Sequence, residues 1–132
     1  MTDLETLLAE RAIERMLLDY AALNDAGDWD AVAALYSESG RMSRPVAPDD
    51  FIEGRAAILD AFKARPPRAS RHVVSNIRVD VDGASATATS QILLFTATGQ
   101  PPLVGSYHDR LTLTGEGWRF DERRGSLDFP AA

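Results

Sequence analysis

"LVGSYHDRLTLTGEGWRF", residues Leu103 to Phe120, alternates between two side-chain faces and then turns on "TGEG" into a second strand-like run. Leu103, Gly105, Tyr107, Asp109, Leu111 and Leu113 share one face, and Val104, Ser106, His108, Arg110 and Thr112 share the other. The first face is the more apolar and is expected to point inward. His108 then faces solvent with Arg110 and Thr112. Asp109 is left as a carboxylate on an apolar face. It is either paired to an arginine or lines a pocket, because buried carboxylates rarely stay unpaired.

The same strand signature extends in both directions. Ser70 to Asp82, Ala84 to Thr98 and Gly117 to Phe129 are further strand candidates, separated by the turn sequences "DG", "GQPP" and "TGEG". The first half of the chain is different. Leu4 to Ala26 has helical spacing, with Ile13, Met16, Leu17, Tyr20 and Asn24 on one stripe, and Gly27 ends it. "DWDAVAALY" reads as a second short helix capped by Asp28 and closed by Gly40. "RMSRPV" reads as a short strand ended by Pro45 and Pro48, and a third helix runs from about Arg55 to Ala64, stopped by Pro66 and Pro67.

Helices first and a run of neighbouring antiparallel strands afterwards is the α+β pattern. Three N-terminal helices covering one face of a curved, mostly antiparallel sheet leave a cone with a hollow suited to a small apolar ligand. With 132 residues, the chain is expected to form one domain over residues 1–132.

The bulk composition narrows the function. The formal charge is −6, which argues against nucleic acid as a partner. No run is long and apolar enough for a bilayer. The acidic, amphipathic N-terminus is unlike a signal peptide, so a cytoplasmic location is expected. Cysteine is absent, and there are two histidines with no HxxxH or HxH spacing, so no metal site is expected. No Gly-rich phosphate loop is present, so no nucleotide cofactor is expected either. The arginines of "KARPPRASR" read as a solvated edge. "ATATSQILLF" carries small polar residues suited to packing between copies, which points to a homo-oligomer, a dimer or trimer.

Candidate chemistry centres on "SRHVVSN", Ser70 to Asn76. Simple alternation puts His72, Val74 and Asn76 on a mixed face and Val73, Ile77, Val79 and Val81 on the apolar one. His72 is therefore a surface residue, a structural hydrogen-bonder or a base on a pocket wall. A histidine base needs a carboxylate on one ring nitrogen to fix its tautomer and hold the imidazolium charge. Asp25 lies in the last turn of the first helix, where the helix dipole disfavours a negative charge; it either supplies that carboxylate or simply faces water near "NDAGD". Tyr20, one and a half turns earlier, either reaches the same cavity or is plain core.

"YAALNDAGDWDAVAALYSESG", "SRHVVSN" and "GSYHDRLTLTGEGWRFDERRG" together resemble the SnoaL-like branch of the NTF2-like superfamily over nearly the whole chain. The resemblance implies a cone-shaped α+β barrel around an apolar pocket. Members similar to this chain include hexachlorocyclohexane dehydrochlorinase, scytalone dehydratase and bile acid 7α-dehydratase, which use an Asp–His dyad and no cofactor. On this chain the dyad falls on Asp25 and His72, and the tyrosine of the bile acid enzyme falls on Tyr20. Tyr107 and Arg123 would project into the pocket, with Asn76, Asp109, Phe95 and Met42 as further substrate contacts. The implied function is a cofactor-independent lyase of the dehydratase or dehydrohalogenase type, acting on a small apolar, polycyclic or aromatic substrate. The alternatives are an isomerase or cyclase on the same dyad, and a non-catalytic binding or assembly module, including a dioxygenase small-subunit role.

Overall fold

A computed structural model describes residues 1–129. Helix α1 spans Asp3–Ala26. It starts at a capping box in which Thr2 accepts from the Glu5 N–H and Glu5 reaches back to the Thr2 N–H. It ends where Gly27 turns left-handed (φ 71°) and donates to the Asn24 carbonyl. Asp28 then caps α2, Trp29–Ala34, by accepting from the Ala31 N–H at 3.3 Å. Strand β1, Tyr36–Arg44, begins two residues after α2, so Tyr36 belongs to the sheet.

Gly40 does not close the second helix but lies inside β1, where a Cβ would come 2.7 Å from the Phe120 carbonyl oxygen. Strand β2 covers Ala47–Glu53 and includes Pro48, which therefore does not end a strand. It is tolerated because β2 is an edge. Helix α3, Arg55–Lys63, is followed by β3, Arg71–Asp82; β4, Ser85–Phe95; β5, Leu103–Thr114; and β6, Gly117–Leu127. The six strands form one sheet in the order β2-β1-β6-β5-β4-β3, antiparallel except for the parallel pair β1–β6. No helix among the described residues is long and apolar enough to cross a membrane.

The helices cover one face of this sheet. Ile13, Leu17 and Tyr20 of α1, Val32 of α2, and Ile58 and Phe62 of α3 are buried with Tyr36, Leu111, Trp118 and Phe120 of the strands. Phe62 stacks on Trp29 at 5.2 Å between ring centres, which ties α3 to α2. Gly125 of β6 lies under the β1–β2 turn, where a Cβ would meet the Pro45 nitrogen at 2.5 Å. That close approach seats Arg44 and Pro45 against the sheet.

Two bulges decide which side chains reach the covered face. On β3, Ser75 pairs with Gln91 and Arg78 with Thr89, so Asn76 and Ile77 together oppose one residue of β4. Asn76 takes the left-handed conformation (φ 52°) that makes this possible. Before the bulge His72 and Val74 are the more buried side chains; after it Ile77, Val79 and Val81 are. The mixed face of the simple alternation is thus two half-faces joined by a slip, and His72 is on the helix side. On β6, Asp121 is the extra residue, because Arg110 pairs with Glu122 and Leu111 with Phe120. Trp118 and Phe120 are buried before it, Arg123 and Gly125 after it.

The left-handed position gives a direct stability test. Asn76→Gly is expected to be neutral within a few tenths of a kcal/mol, whereas Asn76→Val is expected to cost about 1–2 kcal/mol. Urea denaturation of the two variants measures the difference.

Candidate functional site

Asp25 sits at the carboxyl end of α1, a poor place for a negative charge beside unpaired helix carbonyls. Three donors compensate it. The Ser70 hydroxyl donates to Oδ1 at 2.9 Å, the His72 backbone N–H donates to Oδ2 at 2.8 Å, and His72 Nδ1 lies 2.6 Å from Oδ1. Arg71 adds a distant charge, its Nε 3.9 Å from Oδ2, on a largely exposed side chain. The imidazole is more enclosed than that, with its side chain 8 % exposed. An ionised carboxylate only accepts hydrogen bonds, so Nδ1 carries the proton. In the neutral ring Nε2 then bears the lone pair, and no described residue hydrogen-bonds it.

His72 lines a cavity of about 300 Å³. Ile92, Leu94, Leu103 and Tyr107 continue its sheet wall; Tyr20 and Asn24 of α1 form the helix wall. Met42, Ser43 and the β1–β2 turn close one side, and Phe62 with the segment after α3 closes another. The sheet wall is consistent with the strand pairing, which puts His72 opposite Leu94 and Leu94 opposite Leu103.

The tyrosines divide the polar work. The Tyr20 hydroxyl shares a 2.9 Å hydrogen bond with the Tyr36 hydroxyl, and burial raises its pKa. The Tyr107 hydroxyl has no hydrogen-bond partner among the described residues, and burial pushes its pKa up to about 12. Both phenols therefore keep their protons at neutral pH. Tyr107 has its donor free for a molecule in the cavity.

Behind these rings lies Arg123, which does not line the cavity. Its guanidinium carbon is 3.8 Å from the Tyr107 ring centre, 4.2 Å from Tyr20 and 4.8 Å from Phe120, and its Nε is 3.2 Å from Asp109 Oδ1. Asp109 and Arg123 are direct cross-strand partners, a pairing created by the Asp121 bulge. Of the two readings of Asp109, the arginine pair is the one found. Burial pushes its carboxyl up to about 6, with Arg123 pulling it back down. For Arg123, burial acts to lower the pKa, but Asp109 and the nearby tyrosines outweigh it and raise it.

The raised carboxyl has a stability consequence. Between about pH 4 and pH 6 the folded chain holds the Asp109 proton that the unfolded chain has released. The stability contributed by this group is therefore greatest near pH 4 and declines as the pH climbs through 6. Urea midpoints across this range are expected to carry that downward component, and Asp109→Asn is expected to remove it.

The structure thus brings together His72, Asp25, Tyr20, Tyr107 and Met42, with Asp109 and Arg123 packed beneath. It separates two other expected contacts. Asn76 is exposed at the bulge and donates to Gln91 Oε1. Phe95 ends β4 opposite Arg71 and is 39 % exposed. Neither lines the cavity: the bulge turns Asn76 outward, and Phe95 lies on the opposite parity of β4 from Leu94. Conversely, Arg65 and Arg68 of the "KARPPRASR" segment form cavity wall, together with Asn24, Ser43 and Arg44. The solvated-edge reading is corrected at Arg65, which is half-buried; Arg68 borders the cavity and is exposed. Only the buried place of Asn24 on the helix stripe pointed to any of them. Among the described residues no three His, Asp or Glu side chains gather as metal ligands.

Against known proteins, a family model for the SnoaL-like domain matches residues 5–124. An NTF2-like protein with a cystatin-like fold from Novosphingobium aromaticivorans superposes with a TM-score of 0.86 at 26 % identity, covering 98 % of this chain and 88 % of that one. A protein from the same organism, proposed as a scytalone dehydratase, gives a TM-score of 0.79 at 28 % identity over 96 % and 91 % of the two chains. The proposed beta subunit of an aromatic-ring-hydroxylating dioxygenase, also from N. aromaticivorans, gives 0.80 at 18 % identity over 96 % and 93 %, a likeness of fold alone. No curated protein matches the sequence significantly.

Proposed function

The chain belongs to the SnoaL-like domain family, and from that premise we propose that it is a lyase that removes a proton from a small apolar substrate with an Asp25–His72 dyad. The observation carrying this reading is the 2.6 Å contact between Asp25 and His72 Nδ1, which leaves Nε2 as the ring nitrogen available to the cavity.

In this mechanism the Nε2 lone pair takes a proton from a carbon next to an electron-withdrawing group. The C–H electrons form the new C=C bond, and the β-hydroxyl or halide leaves with its bonding pair. A departing hydroxide collects the proton from His72 and leaves as water; after loss of a halide the imidazolium gives the proton to solvent. Either step restores the neutral ring. Asp25 holds the imidazolium between these two events. The Tyr107 hydroxyl donates to the oxygen on which charge develops, and Tyr20 holds its ring beside it through the Tyr36 hydroxyl. The buried Arg123 guanidinium lies behind both phenols and favours negative charge in front of them.

The test is a panel of apolar carbonyl compounds with a β-hydroxyl or β-halide, incubated in D2O and followed by proton NMR. The expected result is alkene formation, or deuterium entering at the carbon beside the carbonyl. The absence of both alkene formation and deuterium exchange in every member that demonstrably binds the cavity would leave a ligand-binding module instead.

A further inference from the structure

We propose that the substrate carries a carboxylate, which rests on a rim formed by Arg44, Arg65 and Arg68 while the apolar body occupies the cavity beside His72. This rests on the cavity being the substrate site.

Charge distribution is the first argument. The chain has 20 Asp and Glu against 14 Lys and Arg. Three of those arginines line this cavity, and no Asp or Glu does. Random placement in an acidic chain would give the opposite balance.

Pairing is the second. Arg15, Arg41, Arg110 and Arg124 each meet a carboxylate within 3.5 Å. Arg44, Arg65 and Arg68 make no ion pair among the described residues. They also crowd each other: burial, then Arg44 and Arg68, act to lower the pKa of Arg65. Like charges held together without a counter-ion are destabilising, and an anion between them relieves that cost.

Unsatisfied polar atoms are the third. Ser43 Oγ and Arg44 Nε are buried without a hydrogen-bond partner, and both residues belong to the cavity wall. These atoms lie just behind the cavity surface, so the wall carrying Arg44 is polar and unsatisfied rather than apolar.

Preorganisation is the fourth. Arg65 is pinned with its guanidinium 4.5 Å over the Phe62 ring, at the carbonyl end of α3, and Pro66 and Pro67 stiffen the path to Arg68. Arg44 is fixed by the Pro45–Gly125 approach. Planar guanidinium forks suit a carboxylate, which accepts two parallel N–H bonds.

The experiment compares 2-naphthoate with 2-naphthamide, equal in shape and different in charge, by calorimetric titration at low and high salt. The acid is expected to bind at least ~10-fold more tightly at low salt, with the gap narrowing as salt rises. Arg65→Met and the exposed Arg68→Gln are each expected to cut acid affinity several-fold and leave amide affinity unchanged. The preference is expected to persist in His72→Ala, which removes the base and keeps the rim. Equal affinities, no binding of either compound, or a preference unmoved by both arginine variants would overturn the proposal. A chain that prefers the acid yet exchanges no substrate deuterium keeps the rim and loses the elimination chemistry. One that exchanges deuterium into neutral substrates and binds both probes equally does the reverse.

Discussion

Replacing His72 with alanine is expected to lower turnover by about 10²–10⁴-fold while the fold survives, the range that a positioned general base contributes. The imidazole packs at a cavity wall, and after its loss Asp25 keeps the Ser70 hydroxyl and the residue 72 backbone N–H as donors. Asp25→Asn is expected to cause a loss of similar size for a different reason. The His72 backbone N–H is a fixed donor on Oδ2, so the amide places its oxygen there and its NH2 toward Nδ1 and the Ser70 hydroxyl. The ring then accepts at Nδ1 and carries its proton on Nε2, where the base should be. Turnover under saturating substrate, with circular dichroism and thermal melts as controls, reads both variants. Unchanged turnover in His72→Ala would remove the dyad from the mechanism.

The second large effect concerns stability. At pH 8 Arg123→Met is expected to cost about 3–5 kcal/mol, a fall in Tm on the order of 10–20 °C, because it leaves the Asp109 carboxyl, 3 % exposed, buried without its cation. Asp109→Asn is expected to cost far less, since burial already favours a neutral partner beside Arg123. Arg123→Met is gentler in acid, since Asp109 then neutralises itself by holding a proton. It becomes costlier as the pH rises and that proton is lost. The double variant Asp109→Leu/Arg123→Met is expected to regain most of the deficit, because an apolar pair of similar volume removes both charges together. Denaturant titrations of the three variants at pH 5 and pH 8 check the ordering. A double variant no more stable at pH 8 than Arg123→Met would mean that the ring-stacked guanidinium itself, rather than its charge balance, holds the core.

Much of this architecture was legible because its signals are local. The helical stripe through Ile13, Leu17 and Tyr20, the Asp28 cap and the Gly27 stop each depend on neighbours a few residues away. The inward face of β5 was readable from Leu103 to Leu111 because no slip interrupts it, and the Asp25–His72 contact was expected from the resemblance, the awkward place of Asp25 alone leaving solvent as an equal destination. Residue parity after a bulge was not readable. One surplus residue reverses every later side chain, and Asn76 gives only a weak hint, that Asn tolerates a left-handed backbone. Alternation therefore assigned Asn76 to the His72 face, and the structure places it outside. The arginine rim was hidden for another reason. It is assembled from the end of β1 and the segment after α3, and neither stretch alone shows that a concavity lies between them. Gly40 and Pro48 were misread as terminators because an edge or an irregular strand tolerates residues that a regular interior strand excludes.

The surplus residue at Asn76 also limits how this chain can be shortened. Removing that one residue would leave Ser75 opposite Gln91, Ile77 opposite Ser90 and Arg78 opposite Thr89, and His72, Val74, Ile77 and Val79 would alternate onto one face without interruption. Both ladders survive such a deletion, and the hydrophobic seam against the helices stays shut. What disappears is the extra bend and twist of a bulged strand, so the arm bearing the imidazole is re-aimed relative to the helix end it must touch. An added residue at the same place is the harsher change, because it turns one arm of β3 inside out.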